Sequence, residues 1–95
     1  MRQMIHSIDC VTALEPGDAM SRIRDCISRV EGRIADQRRA GGKGAVFGFH
    51  LPDDRFEDLL DGLPELAVYV ERANPPERVR FREIRCRLAL AFSEG

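Results

Sequence analysis

The sequence predicts an α+β fold in which two helices cover one face of an antiparallel sheet, ordered β-α-β-β-α-β with an extra C-terminal strand. Three observations carry this. Apolar residues alternate with period two over 3–12 and again over 79–92; they recur three and four apart over 18–31 and from Phe56 to Leu63; and Gly41-Gly42-Lys43-Gly44 is a reverse-turn signal between two further strand-like stretches. Ninety-five residues hold a single domain with one core.

In the first strand Met4, His6, Ile8 and Cys10 form the more apolar side. Leu14-Glu15-Pro16-Gly17-Asp18 breaks it. The first helix is expected over 18–31. Met20, Ile23, Ile27 and Val30 make its stripe, Asp18 its N-cap, and Gly32 its left-handed stop. Asp18 with Arg22 and Asp25 with Arg29 stand at i, i+4, worth a few tenths of a kcal/mol each.

A helix continued through Ala40 would leave the glycine turn unexplained, so residues 33–39 read as a strand paired with 45–51 in a hairpin. Phe47, Phe49 and Leu51 point to the core, with Val46, Gly48 and His50 on the other side. The second helix starts at Pro52-Asp53-Asp54, with Asp54 and Glu57 in capping-box spacing, and stops at Gly62 and Pro64. A short strand over 66–72 turns Val68 and Val70 inward and Tyr69 and Glu71 outward. The final strand, 79–92, changes apolar phase near Arg82-Glu83, where a β-bulge is expected, and it is placed beside 66–72 as an edge hairpin.

This order is the split-βαβ, ferredoxin-like arrangement. Val30-Glu31-Gly32-Arg33-Ile34, the Gly41–Gly44 turn, and the run from Phe47 to Phe56 (Phe-Gly-Phe-His-Leu-Pro-Asp-Asp-Arg-Phe) resemble small ferredoxin-like domains. Such domains occur in bacterial secretion- and pilus-assembly proteins and in uncharacterised bacterial lipoproteins. The resemblance implies a bacterial protein and a fold; it brings no catalytic signature with it.

Composition narrows the function classes. The chain is 43% hydrophobic and 33% charged, with fifteen basic and sixteen acidic side chains and a net charge of −1. Disorder is excluded by that balance, and no whole-protein field draws the chain to nucleic acid or acidic membrane. No run reaches the roughly 18 to 20 apolar residues of a membrane helix, and no basic-then-apolar signal pattern opens the chain. Cys10, Cys26 and Cys86 are odd in number and far apart, which suits free thiols in a reducing cytoplasm.

Four constellations invite chemistry. Gly41-Gly42-Lys43-Gly44 lacks the earlier glycine and the Ser or Thr of a phosphate loop, having Gln37 and Gly44 in those places. His6, Cys10, His50 and Cys86 suit zinc by type but have no diagnostic spacing. Nothing in the sequence activates a thiol beside an imidazole. Asp53, Asp54, Glu57 and Asp58 match a helix dipole. No catalytic residue, metal or cofactor is therefore expected. Arg78, Arg80, Arg82, Arg85 and Arg87 form the densest basic run, diluted by Glu71, Glu77 and Glu83 and with only Tyr69 placed to stack a base.

The expected function is a non-catalytic interaction or assembly module, homodimeric through its sheet face or final strand. Leu88, Ala89, Leu90, Ala91 and Phe92 carry apolar or small residues on both faces, which asks for a cover. His50, Tyr69, Arg85, Arg87, Ala89 and Ala91 are the expected interaction surface. The alternatives are a small-molecule-sensing regulatory domain of ferredoxin-like kind and, after it, a weak RNA-binding module. A protein partner fits this reading; nucleic acid and membrane insertion do not.

Overall fold

The computed structural model describes residues 4–93. They form β1 (Ile5–Thr12), α1 (Pro16–Arg29), β2 (Arg33–Ala40), β3 (Gly44–Pro52), a 3-10 turn (Asp53–Arg55), α2 (Phe56–Glu65), β4 (Tyr69–Ala73) and β5 (Glu83–Phe92). The α+β class, the two helices and the strand assignment after Gly32 agree with the sequence. Gln3, placed in the first strand by alternation, lies outside the described residues.

The strand order does not agree. The sheet runs β2-β3-β5-β1-β4, with β5 parallel to β1 and all other neighbours antiparallel. Neither the ferredoxin-like order nor the all-antiparallel sheet is present, and β5 is not an edge strand beside β4. It lies in the middle, its residues paired with β1 from Arg85 to Phe92 and with β3 from Glu83 to Ala91. The physical reason is length and composition: β5 is the longest strand and the richest in Ile, Leu, Cys and Ala. A central position satisfies both of its hydrogen-bonding edges. Residues 74–82 carry no helix or strand. That length suffices to pass over the end of β1 instead of closing a tight hairpin.

One sheet face is packed and the other is open. Ile8, Cys10, Phe47, Phe49, Cys86 and Leu88 meet Ile23 and Ile27 of α1 and Leu59 and Leu63 of α2 in one core. Each fully buried Leu, Ile or Phe contributes roughly 1.5–3 kcal/mol. Cys10, Cys26 and Cys86 are unpaired and buried within this core.

Local signals moved by a few residues. Pro16 opens α1 after Glu15, so Asp18 sits in the first turn and is not the cap. It still pairs with Arg22 at 3.1 Å, whereas Asp25 and Arg29 form no ion pair. Both helices end in the same way. Gly32 N–H donates to the Ile27 carbonyl at 2.8 Å and Glu31 N–H to that of Ser28 at 3.1 Å; Val68 and Ala67 repeat the pattern onto Leu63 and Pro64. These are Schellman motifs whose left-handed residues are Glu31 (φ 64°) and Ala67 (φ 62°), neither a glycine. Gly32 is required for another reason: a Cβ there would lie 2.5 Å from Ile27 Cγ2. The capping box of Asp54 and Glu57 is absent, because α2 starts at Phe56 with no side-chain cap. Nor do Gly62 and Pro64 stop that helix, which runs to Glu65.

Candidate functional site

Register fixes what the open face presents, since residues paired across neighbouring strands project to the same side. His50, Arg85 and Ile5 form one row across β3, β5 and β1; Gly48, Arg87 and Ser7 the next; then Val46, Ala89 and Asp9; and last Gly44, Ala91 and Val11, extended by Tyr69 on β4. On β2 these rows reach Arg33, Asp36, Arg38 and Ala40. The six residues expected to form a surface, His50, Tyr69, Arg85, Arg87, Ala89 and Ala91, therefore share this face. Arg85, Arg87, Ala91 and Tyr69 are exposed, while His50 and Ala89 are half-buried.

The face is polarised along its strands. Arg85 and Arg87 stand at the end where β5 begins, and Ala89, Ala91, Val46 and Val11 at the end where it finishes, with Asp9 and Arg38 on the flanks of the Ala89 row. Arg33 is paired with Glu83 at 3.1 Å and Arg38 with Asp36 at 3.2 Å. Among the described residues, neither Arg85 nor Arg87 is in an ion pair. Between the arginine rows and β2 lies a depression of about 160 Å³ floored by Gly48 and lined by Asp36, His50, Arg85 and Arg87. The Nδ1 atom of His50 is buried and has no hydrogen-bond partner.

A second feature is the crossing segment. Arg78, Val79, Arg80, Phe81 and Arg82 belong to a loop and not to the final strand; the phase change near Arg82 is therefore the strand boundary, not a bulge. Asp53, only 3% exposed, governs its shape. The Asp53 carboxylate accepts from Arg80 N–H at 2.7 Å and Arg82 N–H at 3.2 Å, and Asp53 N–H donates to the Arg82 carbonyl at 2.9 Å. Burial opposes the charge on Asp53, but the backbone N–H groups of Arg80, Arg82 and Phe81 and the nearby Arg82 charge outweigh it and hold the carboxyl below its ordinary range. Phe81 is left in the left-handed region (φ 54°) and 82% exposed. Pro76, Glu77, Arg78, Arg80, Arg82 and Asp53, with Met4, His6 and Ile84, surround a cleft of about 260 Å³.

The remaining candidates have structural roles. His6 is buried, with Nδ1 3.1 Å from the Asn74 carbonyl oxygen and its ring edge-on to Phe56 at 6.2 Å. Burial pushes the Cys10 thiol up to about 12, aided by the charges of Asp9 and Glu71, and burial alone does the same for Cys86. Cys26 is raised as well, mainly by burial. Such thiols are poor nucleophiles and poor ligands at neutral pH. Among the described residues, no three His, Cys, Asp or Glu side chains are grouped as a metal would need, and no helix is long and apolar enough to cross a membrane.

Sequence reasoning found the face but missed Gly48 as a floor, Asp53 as a clamp and Phe81 as a displayed side chain. For Phe81 the out-of-phase aromatic between arginines was a usable signal. Asp53 had none, since its partners lie 27 and 29 residues away. No model of a known protein family matches this chain, and neither the curated proteins nor the solved structures contain a match.

Proposed function

We propose that the protein is a non-catalytic interaction module that pairs with a second copy of itself through the open sheet face. The observation that carries this is the polarity of that face. A two-fold axis lying in the interface and running across the strands sets Arg85 and Arg87 of one copy over Ala91 and Ala89 of the other, where small side chains leave room for arginine stems. It also sets Asp36 over Arg38, opposite in charge. A two-fold along the strands would stack arginine on arginine. Five strands spaced about 4.8 Å and about eight residues long give roughly 600 Å² per copy and about 1,200 Å² in the pair. That reaches the lower bound for a specific stable interface. The three unpaired buried thiols fit a reducing compartment such as the cytoplasm.

Sedimentation equilibrium tests the pairing. The wild-type chain is expected to be a dimer at about 100 μM and the Ala89→Glu/Ala91→Glu variant a monomer with an unchanged circular dichroism spectrum. A wild-type protein that stays monomeric at about 1 mM refutes the proposal.

A further inference from the structure

The Gly48 depression has the composition of an anion site. It is built by an absence: Gly48 occupies the open-face position of β3 between Asp36 on β2 and Arg87 on β5, and its missing side chain makes the floor. Arg85 and Arg87 stand two residues apart on one strand, so their side chains rise together on the same side. Their cross-strand neighbours are His50 and Gly48 on one flank and Ile5 and Ser7 on the other, none of them a carboxylate. Two of the acids close by are engaged, Asp36, which itself lines the depression, by Arg38, and Glu83 by Arg33, while Asp9 on β1 stands diagonal to Arg87 and, among the described residues, is in no ion pair. Two guanidinium groups side by side, neither in an ion pair among the described residues, repel each other, and an anion between them relieves that repulsion. The buried, unpartnered Nδ1 of His50 adds an imidazole nitrogen whose desolvation nothing in the chain offsets.

From this cluster we infer that the depression binds a phosphate group, either inorganic phosphate or the head of a small phosphomonoester. Arginine forks suit phosphate and carboxylate alike. Two forks side by side suit a tetrahedral oxyanion better, because its three terminal oxygens can be divided between both guanidinium groups whereas a carboxylate has two. A volume of about 160 Å³ lies below the range of roughly 300 Å³ and more for drug-sized ligands, so the ligand is small. Ile5 and Val46 line the same depression and give its carbon portion an apolar wall. The depression lies on the face proposed to pair, so pairing covers it and the site belongs to the monomeric chain.

Titration of the ¹⁵N-labelled chain with inorganic phosphate, at ionic strength held constant with chloride, tests the assignment. Saturable shifts are expected at the amides of Gly48, His50, Arg85 and Arg87. Arg85→Gln and Arg87→Gln each weaken binding roughly tenfold or more, as loss of a charge-assisted hydrogen bond should. Both arginines are exposed, so these variants keep the core. Gly48→Val retains every charge but fills the depression, and is also expected to weaken binding roughly tenfold or more. Gly48→Ala provides a milder filling, its Cβ at an ordinary 3.5 Å from Asp36 Cβ. No saturable shift by about 10 mM phosphate overturns the assignment. So does wild-type affinity in a folded Gly48→Val protein, which would mean that the arginines attract anions diffusely. Sedimentation of the same samples with and without phosphate separates this site from pairing: a chain that is monomeric throughout and binds keeps the site and removes the dimer, a dimer that phosphate dissociates keeps both, and no saturable shift in samples dilute enough to be monomeric removes the site.

Discussion

Replacing Asp53 by Asn keeps the shape of the side chain and removes its charge. The carboxylate uses both oxygens, Oδ2 for Arg80 N–H at 2.7 Å and Oδ1 for Arg82 N–H at 3.2 Å, at a position 3% exposed. An amide keeps one acceptor and turns its NH₂ against the other backbone donor, leaving that N–H buried and unpaired. Hydrogen bonds to charged groups are worth about 1.5–3 kcal/mol, and an orphaned buried donor costs a similar amount. The expected loss for Asp53→Asn is therefore about 2–3 kcal/mol, out of roughly 5–15 for the whole domain. At about 4–8 °C per kcal/mol, the thermal midpoint should fall by roughly 10–20 °C.

The pH dependence carries the sharper test. Asp53 titrates below its ordinary value of 3.8 in the folded chain, so its stabilisation is complete above that value and is lost as pH falls through the folded pKa. The gap in midpoint between wild type and Asp53→Asn, followed by circular dichroism, should hold steady from about pH 7 to 5 and narrow below about pH 4. Amide exchange at Arg80 and Arg82 should also quicken in the variant. A midpoint within about 3 °C of wild type, or a gap that stays constant down to about pH 3, would show that the clamp is not what holds the loop.

Three further outcomes follow from the geometry. Ala67→Gly relieves a left-handed φ of 62° and should stabilise the fold by about 0.5–1 kcal/mol, read from urea midpoints at unchanged slope. Gly44→Ala places a Cβ 2.5 Å from the Leu90 carbonyl oxygen, a backbone atom that cannot step aside; a loss of about 1–3 kcal/mol in the same assay is expected. Cys10 and Cys86, their thiols pushed up to about 12, should stay unmodified by a thiol reagent at about pH 8 in the folded chain and react on unfolding, which mass spectrometry of the quenched protein reads directly.

Much of the fold was legible because local chemistry repeats. The alternation of Ile84, Cys86, Leu88 and Leu90 names a strand, and the spacing of Phe56, Leu59 and Leu63 names a helix, wherever each lies in the molecule. The glycine turn at 41–44 separated β2 from a continued helix even though Arg33–Ala40 is exposed almost throughout. Caps and stops were less secure, since they depend on competition between neighbours. Pro16 took the helix start from Asp18, and Asp53 left the capping region to hold residues 27 and 29 positions away. The surface residues were legible as a set, because alternation assigns His50, Arg85, Arg87, Ala89 and Ala91 to the faces opposite their buried neighbours.

The sequence by itself determined the α+β class, the helices and strands, the apolar residues of the core and the thiols buried within it. All of these follow from periodicity and side-chain chemistry over a few turns. Only the tertiary structure decided where β5 lies, because pairing partners are chosen by the satisfaction of two hydrogen-bonding edges at once, and no local pattern records that. That placement puts Arg85 and Arg87 in the middle of the open face, beside Gly48 and His50 on one flank and Ile5 and Ser7 on the other. With β5 at the edge, the depression and the polarity of the face would not exist.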